Sequence, residues 1–261
     1  MIVKDKVIVI TGVGPGLGSE VARIGLRDGA RVVLGARREK KLAEAAAALD
    51  PSGEKVAYRS TDITDGDQCR ALLDTAVERF GGVDALVQVA AFDALFGTLQ
   101  TTSAEDWMKS MRTNVVGNMQ IAAAAVPHLR QRGGGSIVLI GSQSMWLPPK
   151  MAQIAYASAK GALLAAMKHM VTELGPDKIR VNMVIPTYMW GPPVQMYVEW
   201  QAKDRGVDQQ VVIDEITATM PLGEIPADED VAEAVAFFCS DRSRMITGET
   251  LLVNAGELLP C

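Results

Sequence analysis

The stretch KVIVITGVGPGLGSEVARIGLRDGA, residues 6–30, decides how the rest of the chain is read. Its first part is an unbroken apolar, β-branched run, the pattern of a strand covered on both faces rather than one that alternates between core and solvent. Four glycines, at 12, 14, 16 and 18, follow directly, and a helical stretch over 17–29 begins among them. Glycine lets the backbone turn sharply and approach a ligand closely, while the start of a helix offers unpaired N–H groups and the positive end of its dipole. Together they make a cradle for a pyrophosphate. The spacing is not G-x-G-x-x-G, because Leu17 occupies the sixth place counted from Gly12. A merely tight strand-to-helix turn is therefore the alternative, and the flanking sequence has to choose.

Working outward, similar apolar runs recur at 31–36, 55–60, 84–89, 136–141, 179–185 and 250–254, separated by helical stretches at 39–49, 65–80, 103–131, 154–175 and 228–240. Strict β/α alternation with continuously apolar strands predicts an α/β fold: one doubly wound (Rossmann) seven-stranded parallel sheet with helices on both faces, a single domain over 1–261. Helix starts are marked by Thr64 before DGDQ and by Ser103 with Glu105 and Asp106 in its first turn. Residues 186–226, opening with PTYMWGPPVQMYVEW, are too long for an ordinary connection and are read as a substrate lid inserted over the site. In such sheets ligands bind at the carboxyl ends of the strands, so chemistry is sought there.

A chain of 261 residues that is 48% apolar can bury a full core, and its net charge of -5, without a run of Lys or Arg, argues against nucleic acid and acidic membranes as partners. Cys69, Cys239 and Cys261 are odd in number and form no C-x-x-C pair. Neither a disulfide framework nor a zinc site is suggested, and a reducing compartment, the cytoplasm, is expected. The opening MIVKDKVIVITG is broken by charge and reads as a strand, not a signal peptide, and no apolar run is long enough to span a bilayer. His128 and His169 read as ordinary helix residues, and no metal is expected.

Two further patterns carry chemistry. After the second strand a carboxylate would bind a ribose 2'-hydroxyl and repel a 2'-phosphate; this chain has Ala36, Arg37 and Arg38 there, which favours NADP while leaving NAD possible. In IAYASAKGALLAAM, residues 154–167, Tyr156 and Lys160 stand four apart on one helix face. Moving a phenol from about 10 to about 7 takes on the order of 4 kcal/mol. A positive charge about 4 Å away at an effective dielectric of about 20 supplies about that much. The sequence thus expects Lys160 to pull the Tyr156 phenol down towards neutrality. Ser142 and Ser144 end the preceding strand, where a hydroxyl could donate to a substrate carbonyl.

Taken together these residues resemble the short-chain dehydrogenases/reductases along nearly the whole chain. Residues 11–18 match that family's T-G-x-x-x-G-x-G, Asp62 and Ile63 resemble its adenine-contacting pair, and Asn114 in RTNVVGNM sits where its helix asparagine is expected. Residues 221–256, PLGEIPADEDVAEAVAFFCSDRSRMITGETLLVNAG, are similar to its C-terminal signature. The resemblance implies hydride transfer between NADP and a carbonyl or alcohol carbon, and assembly as a homo-oligomer, tetramer or dimer. Tyr156 would be the acid and base, Lys160 its tuner and ribose holder, Ser142 (Ser144 in reserve) the carbonyl polariser, and Asn114 the anchor of a water linking Lys160 to solvent. Cofactor contacts are implied at Gly12, Gly14, Pro15, Gly16 and Leu17 in the turn. Asp62, Ile63 and Ala90 would follow, and Tyr156, Lys160, Pro186 and Met189 would lie at the nicotinamide end.

Three departures stand out. N-N-A-G becomes Gln88, Val89, Ala90, Ala91; P-G becomes Pro186, Thr187, with Trp190 and Gly191 where a threonine is usual; and Ser142 precedes Tyr156 by one residue more than usual. Met145, Trp146, Tyr188, Met189, Trp190, Met196, Tyr197 and Trp200 are candidate pocket residues for a small hydrophobic carbonyl or alcohol substrate, or else they pack the lid. A 3-oxoacyl thioester is the alternative substrate. A catalytically idle NADP-binding sensor or partner subunit is the alternative of another class.

Overall fold

The computed structural model describes residues 1–149 and 151–259; Cys261 lies outside them. Its strands are β1 (Val7–Thr11), β2 (Arg31–Ala36), β3 (Val56–Ser60), β4 (Ala85–Gln88), β5 (Gly135–Ile140), β6 (Ile179–Pro186) and β7 (Thr250–Val253). They form one sheet in the order β3-β2-β1-β4-β5-β6-β7, every pair parallel. The order reverses between β1 and β4, which opens a crevice at the carboxyl edge beside the glycine turn.

The helices are α1 (Leu17–Arg27), α2 (Glu39–Leu49), α3 (Gly66–Phe80), α4 (Ala104–Met111), α5 (Asn118–Gln131), α6 (Ile154–Leu174), α7 (Pro192–Arg205), α8 (Gln209–Thr217) and α9 (Asp228–Cys239). Strand side chains alternate between two cores, which is why the strands read as continuously apolar. Ile8 and Ile10 pack with Val21 of α1, Leu42 of α2 and Val235 of α9. Val7 and Val9 pack with Leu72 of α3, Ile121 of α5 and Leu163 of α6. Each fully buried Val, Leu or Ile contributes roughly 1.5–3 kcal/mol.

Two local readings need correction. The cap of α3 is Asp65, not Thr64: its carboxylate accepts from the Asp67 and Gln68 amides. The single helix expected over 103–131 is interrupted, because residues Arg112–Gly117 form a π-helical turn between α4 and α5. Wider turns of this kind are frequent at functional positions, and this one carries Asn114. Gly117 closes it against Ile63, whose Cγ1 would lie 2.9 Å from any Cβ placed there. At the start of α4 the Ser103–Asp106 pair forms a reciprocal capping box.

Within 186–226 the structure has two helices, α7 and α8, around their own small core of Val198, Ala202 and Val212, with Trp190 and Tyr197 packed against it. Gly191 at the start of α7 lies against Asp228, the first residue of α9.

Candidate active site

The turn after β1 is held by close backbone packing. Gly12 has φ +81°, and a Cβ there would fall 2.3 Å from the Ala90 amide nitrogen, so only glycine lets the turns after β1 and β4 touch. A Cβ on Gly18 would meet the Gly12 carbonyl oxygen at 2.6 Å, which fixes α1 against the turn. Ser19 Oγ donates to the Gly14 carbonyl at 2.7 Å. Gly16, the N-cap of α1, offers no side-chain cap. Apart from its own chain neighbours, no described residue comes within 4 Å of where a Gly14 Cβ would sit. An uncapped helix start beside open space bordered by bare backbone fits a dinucleotide's pyrophosphate. Pro15 is exposed on the turn's rim, whereas the Leu17 side chain is buried in the core and only its backbone belongs to the turn.

Further along the carboxyl edge, Arg37 and Arg38 are exposed where β2 ends, and among the described residues neither guanidinium has a carboxylate partner. Two unpaired guanidiniums suit a 2'-phosphate. Asp62 Oδ1 accepts from the Thr64 amide at 2.9 Å and hydroxyl at 2.8 Å, which shapes the turn after β3 around the buried Ile63.

At the other end, α6 follows β5 and brings Tyr156 and Lys160 to Ser142. Lys160 is buried, and its Nζ donates to the Ile140 carbonyl at 2.7 Å, two residues before Ser142. It lies 5.6 Å from the Tyr156 ring centroid. Ser142 and Ser144 are hydroxyl to hydroxyl at 2.9 Å, and Ser142 Oγ also accepts from the Ser144 amide at 3.3 Å.

Burial acts against the tuning expected from the sequence. Burial is the main cause that pushes the Tyr156 phenol above its ordinary value; the charge of Asp93 adds to it, and Ser142 offsets part of it. Burial likewise lowers Lys160 to about 8, with Asp93 opposing. Lys160 is buried and Tyr156 half-buried, and loss of water disfavours the charged form of each, which spacing along a helix does not register. The phenol is held protonated, the form that donates.

Asn114 is fully buried. Its Oδ1 accepts from the Phe92 amide and its Nδ2 donates to the Phe92 carbonyl, both at 2.8 Å, with a further bond to Ser110 Oγ at 3.2 Å. Ser110 in turn donates to the Ala155 carbonyl at 3.2 Å, one residue before the tyrosine. Through these bonds Asn114 staples the loop after β4 to the helix that carries Tyr156. The departure at Gln88 leaves its buried amide without a partner among the described residues, and the hydroxyl of Thr11 beside it in register is likewise unpaired among them.

Pro186 ends β6 in the core, and Met189 packs against the α1/α9 side. The Thr187 hydroxyl donates to Glu257, a carboxylate that the sequence reading passed over; it stands just beyond β7, the edge where the fold rule directs attention. Asp93 and Asp228 were missed too, because an acid in a loop or at a helix start looks like ordinary surface charge. Of the aromatic and methionine set, Tyr188 stacks on Tyr197 at 6.3 Å, while Met196 and Trp200 are exposed at 69% and 55%. The set does not form one wall. Among the described residues no cluster of His, Cys, Asp and Glu could hold a metal, and no helix is long and apolar enough to cross a membrane.

A dinucleotide cradle and a phenol–lysine–serine group on one sheet edge define the class: an NAD(P)-dependent oxidoreductase. A family model described as enoyl-(acyl carrier protein) reductase matches residues 12–257. Human dehydrogenase/reductase SDR family member 4 is 32% identical over 253 residues, covering 97% of this chain and 87% of that protein. An uncharacterised oxidoreductase of Methylorubrum extorquens is 32% identical over 256 residues, covering 97% and 98%. The structure of L-sorbose reductase from Gluconobacter frateurii, complexed with NADPH and L-sorbose, superposes with a TM-score of 0.93 at 28% identity over all of both chains. The chain belongs to the short-chain dehydrogenases/reductases.

Proposed function

We propose that this protein is an NADPH-preferring reductase of a small hydrophobic carbonyl compound, working in reverse on the alcohol. The observation that carries the reading is the gathering of Tyr156, the buried Lys160 and the Ser142–Ser144 pair at the end of β5, on the same sheet edge as the glycine turn. The bound nucleotide supplies the hydride. Ser142 donates to the carbonyl oxygen and Tyr156 gives it a proton as the carbon is reduced. Lys160 braces the end of β5 through the Ile140 carbonyl. Gly12, Gly14 and Gly16 cradle the pyrophosphate, and Arg37 and Arg38 meet the 2'-phosphate. Residues 186–226 act as the lid, and the working unit is a cytoplasmic homo-oligomer.

A second reading, a polyhydroxy ketone, is supported by the likeness to the L-sorbose reductase that was solved with NADPH and L-sorbose. The test is NADPH oxidation at 340 nm with apolar ketones, ketoses and 3-oxoacyl thioesters. Turnover with apolar ketones, reduced roughly 10²–10⁴-fold by Tyr156→Phe with NADPH affinity kept, is the expected result. Undiminished turnover in Tyr156→Phe would remove the role given to that phenol. NADPH binding without any turnover would favour the idle binding protein.

A further inference from the structure

The C-terminal turn reaches back into the site. Asn254 closes β7, and Ala255 and Gly256 follow with φ of 52° and 85°. A left-handed alanine costs about 1 kcal/mol or more, and it persists here in a turn pinned by Gly256 N–H to Asn254 Oδ1 at 3.1 Å and Leu222 N–H to the Ala255 carbonyl at 3.2 Å. What that turn presents is Glu257. Its carboxylate takes three side-chain donors from three separate segments: Gln143 Nε2 at 2.5 Å, the Thr187 hydroxyl, and the Thr219 hydroxyl at 3.1 Å. Gln143 is buried between the two serines, and its other end accepts from Asn254 Nδ2 at 3.2 Å. Both ends of that amide are thereby fixed.

We infer that Glu257 is a positioning residue for carbonyl reduction, holding the serine turn through Gln143 and tying it to both roots of the two-helix insert, Thr187 beyond β6 and Thr219 beyond α8. Among the described residues the buried Gln143 side-chain N–H is bonded to that carboxylate, and Gln143 opens the short helical turn that Ser142 caps and Ser144 belongs to. Movement of the insert at either root is therefore transmitted to the hydroxyl that meets the substrate. The inference rests on the role proposed for Ser142.

The test uses Glu257→Gln and the exchanged pair Gln143→Glu/Glu257→Gln in the full chain, with two readouts. Amide hydrogen exchange over residues 143–147 reports the turn whether or not a substrate is known; kcat and KM report the chemistry. Loss of one charge-assisted bond is expected to speed exchange there roughly tenfold and to lower kcat by a similar factor. The NADPH KM and exchange in α1 should stay within about twofold, and the exchanged pair should restore both quantities. Unchanged exchange in Glu257→Gln overturns the inference, as does faster exchange with unaltered kcat, or an exchanged pair that restores neither. A wild-type protein that turns over no carbonyl overturns the proposed function instead, and exchange alone then decides the role of Glu257 in the turn.

Discussion

Gly14→Ala is expected to separate the fold from the nucleotide. Apart from Gly14's own chain neighbours, no described residue comes within 4 Å of the new methyl, and Gly14 is not among the left-handed glycines, so the folded chain accepts alanine without strain. Removing glycine's freedom from the unfolded chain then stabilises by about 0.4–1 kcal/mol. In a chain of this size that is a rise in Tm of roughly 1–4 °C. The same methyl fills the space assigned to the pyrophosphate, and forcing a group into an occupied contact costs about 1–3 kcal/mol. NADPH affinity should fall by roughly 10- to 100-fold. Gly12→Ala is the contrast: its Cβ would lie 2.3 Å from the Ala90 amide at φ +81°, so the fold itself should be destabilised. Thermal melts without nucleotide and calorimetric titration with NADPH read both effects. If Gly14→Ala bound NADPH within about twofold of wild type, the pyrophosphate would not lie over this turn.

Neutralising Arg37 and Arg38 together should weaken NADPH by at least roughly tenfold and NADH by little; equal losses would refute the 2'-phosphate assignment. With Lys160 lowered to about 8 by burial, its charge is lost as pH rises through that value, so carbonyl reduction should decline above about pH 8. A flat kcat to pH 10 would show that the charge is not needed. Asp228 is held above its ordinary value of 3.8, mainly by burial and then by the charge of Glu20. Its ionised form therefore costs stability above that raised value and costs none below 3.8. Asp228→Asn should raise Tm at pH 7, with the gain vanishing near pH 3; a gain that does not depend on pH would point to packing instead.

The strands were legible in the letters because a strand covered on both faces must be apolar at every position, and this sheet has helices on both sides. The glycine turn was legible for a similar reason, since positive φ and backbone contact leave few alternatives at Gly12. The break in 103–131 was not, because a π turn adds one residue without altering composition. Tyr156 and Lys160 could be paired by spacing, yet the direction of their shifts depends on how much water each loses, which no spacing encodes. Glu257 acquires its partners only when residues 143, 187, 219 and 257 converge, more than a hundred positions apart at the extremes.

Because α7 and α8 bury Val198, Ala202 and Val212 against each other, the segment between Gly191 and Met220 carries its own small core. Such a segment keeps its internal packing independently of the sheet, and what couples it to the serine turn is the pair of hydroxyls, Thr187 and Thr219, that reach Glu257 at its roots.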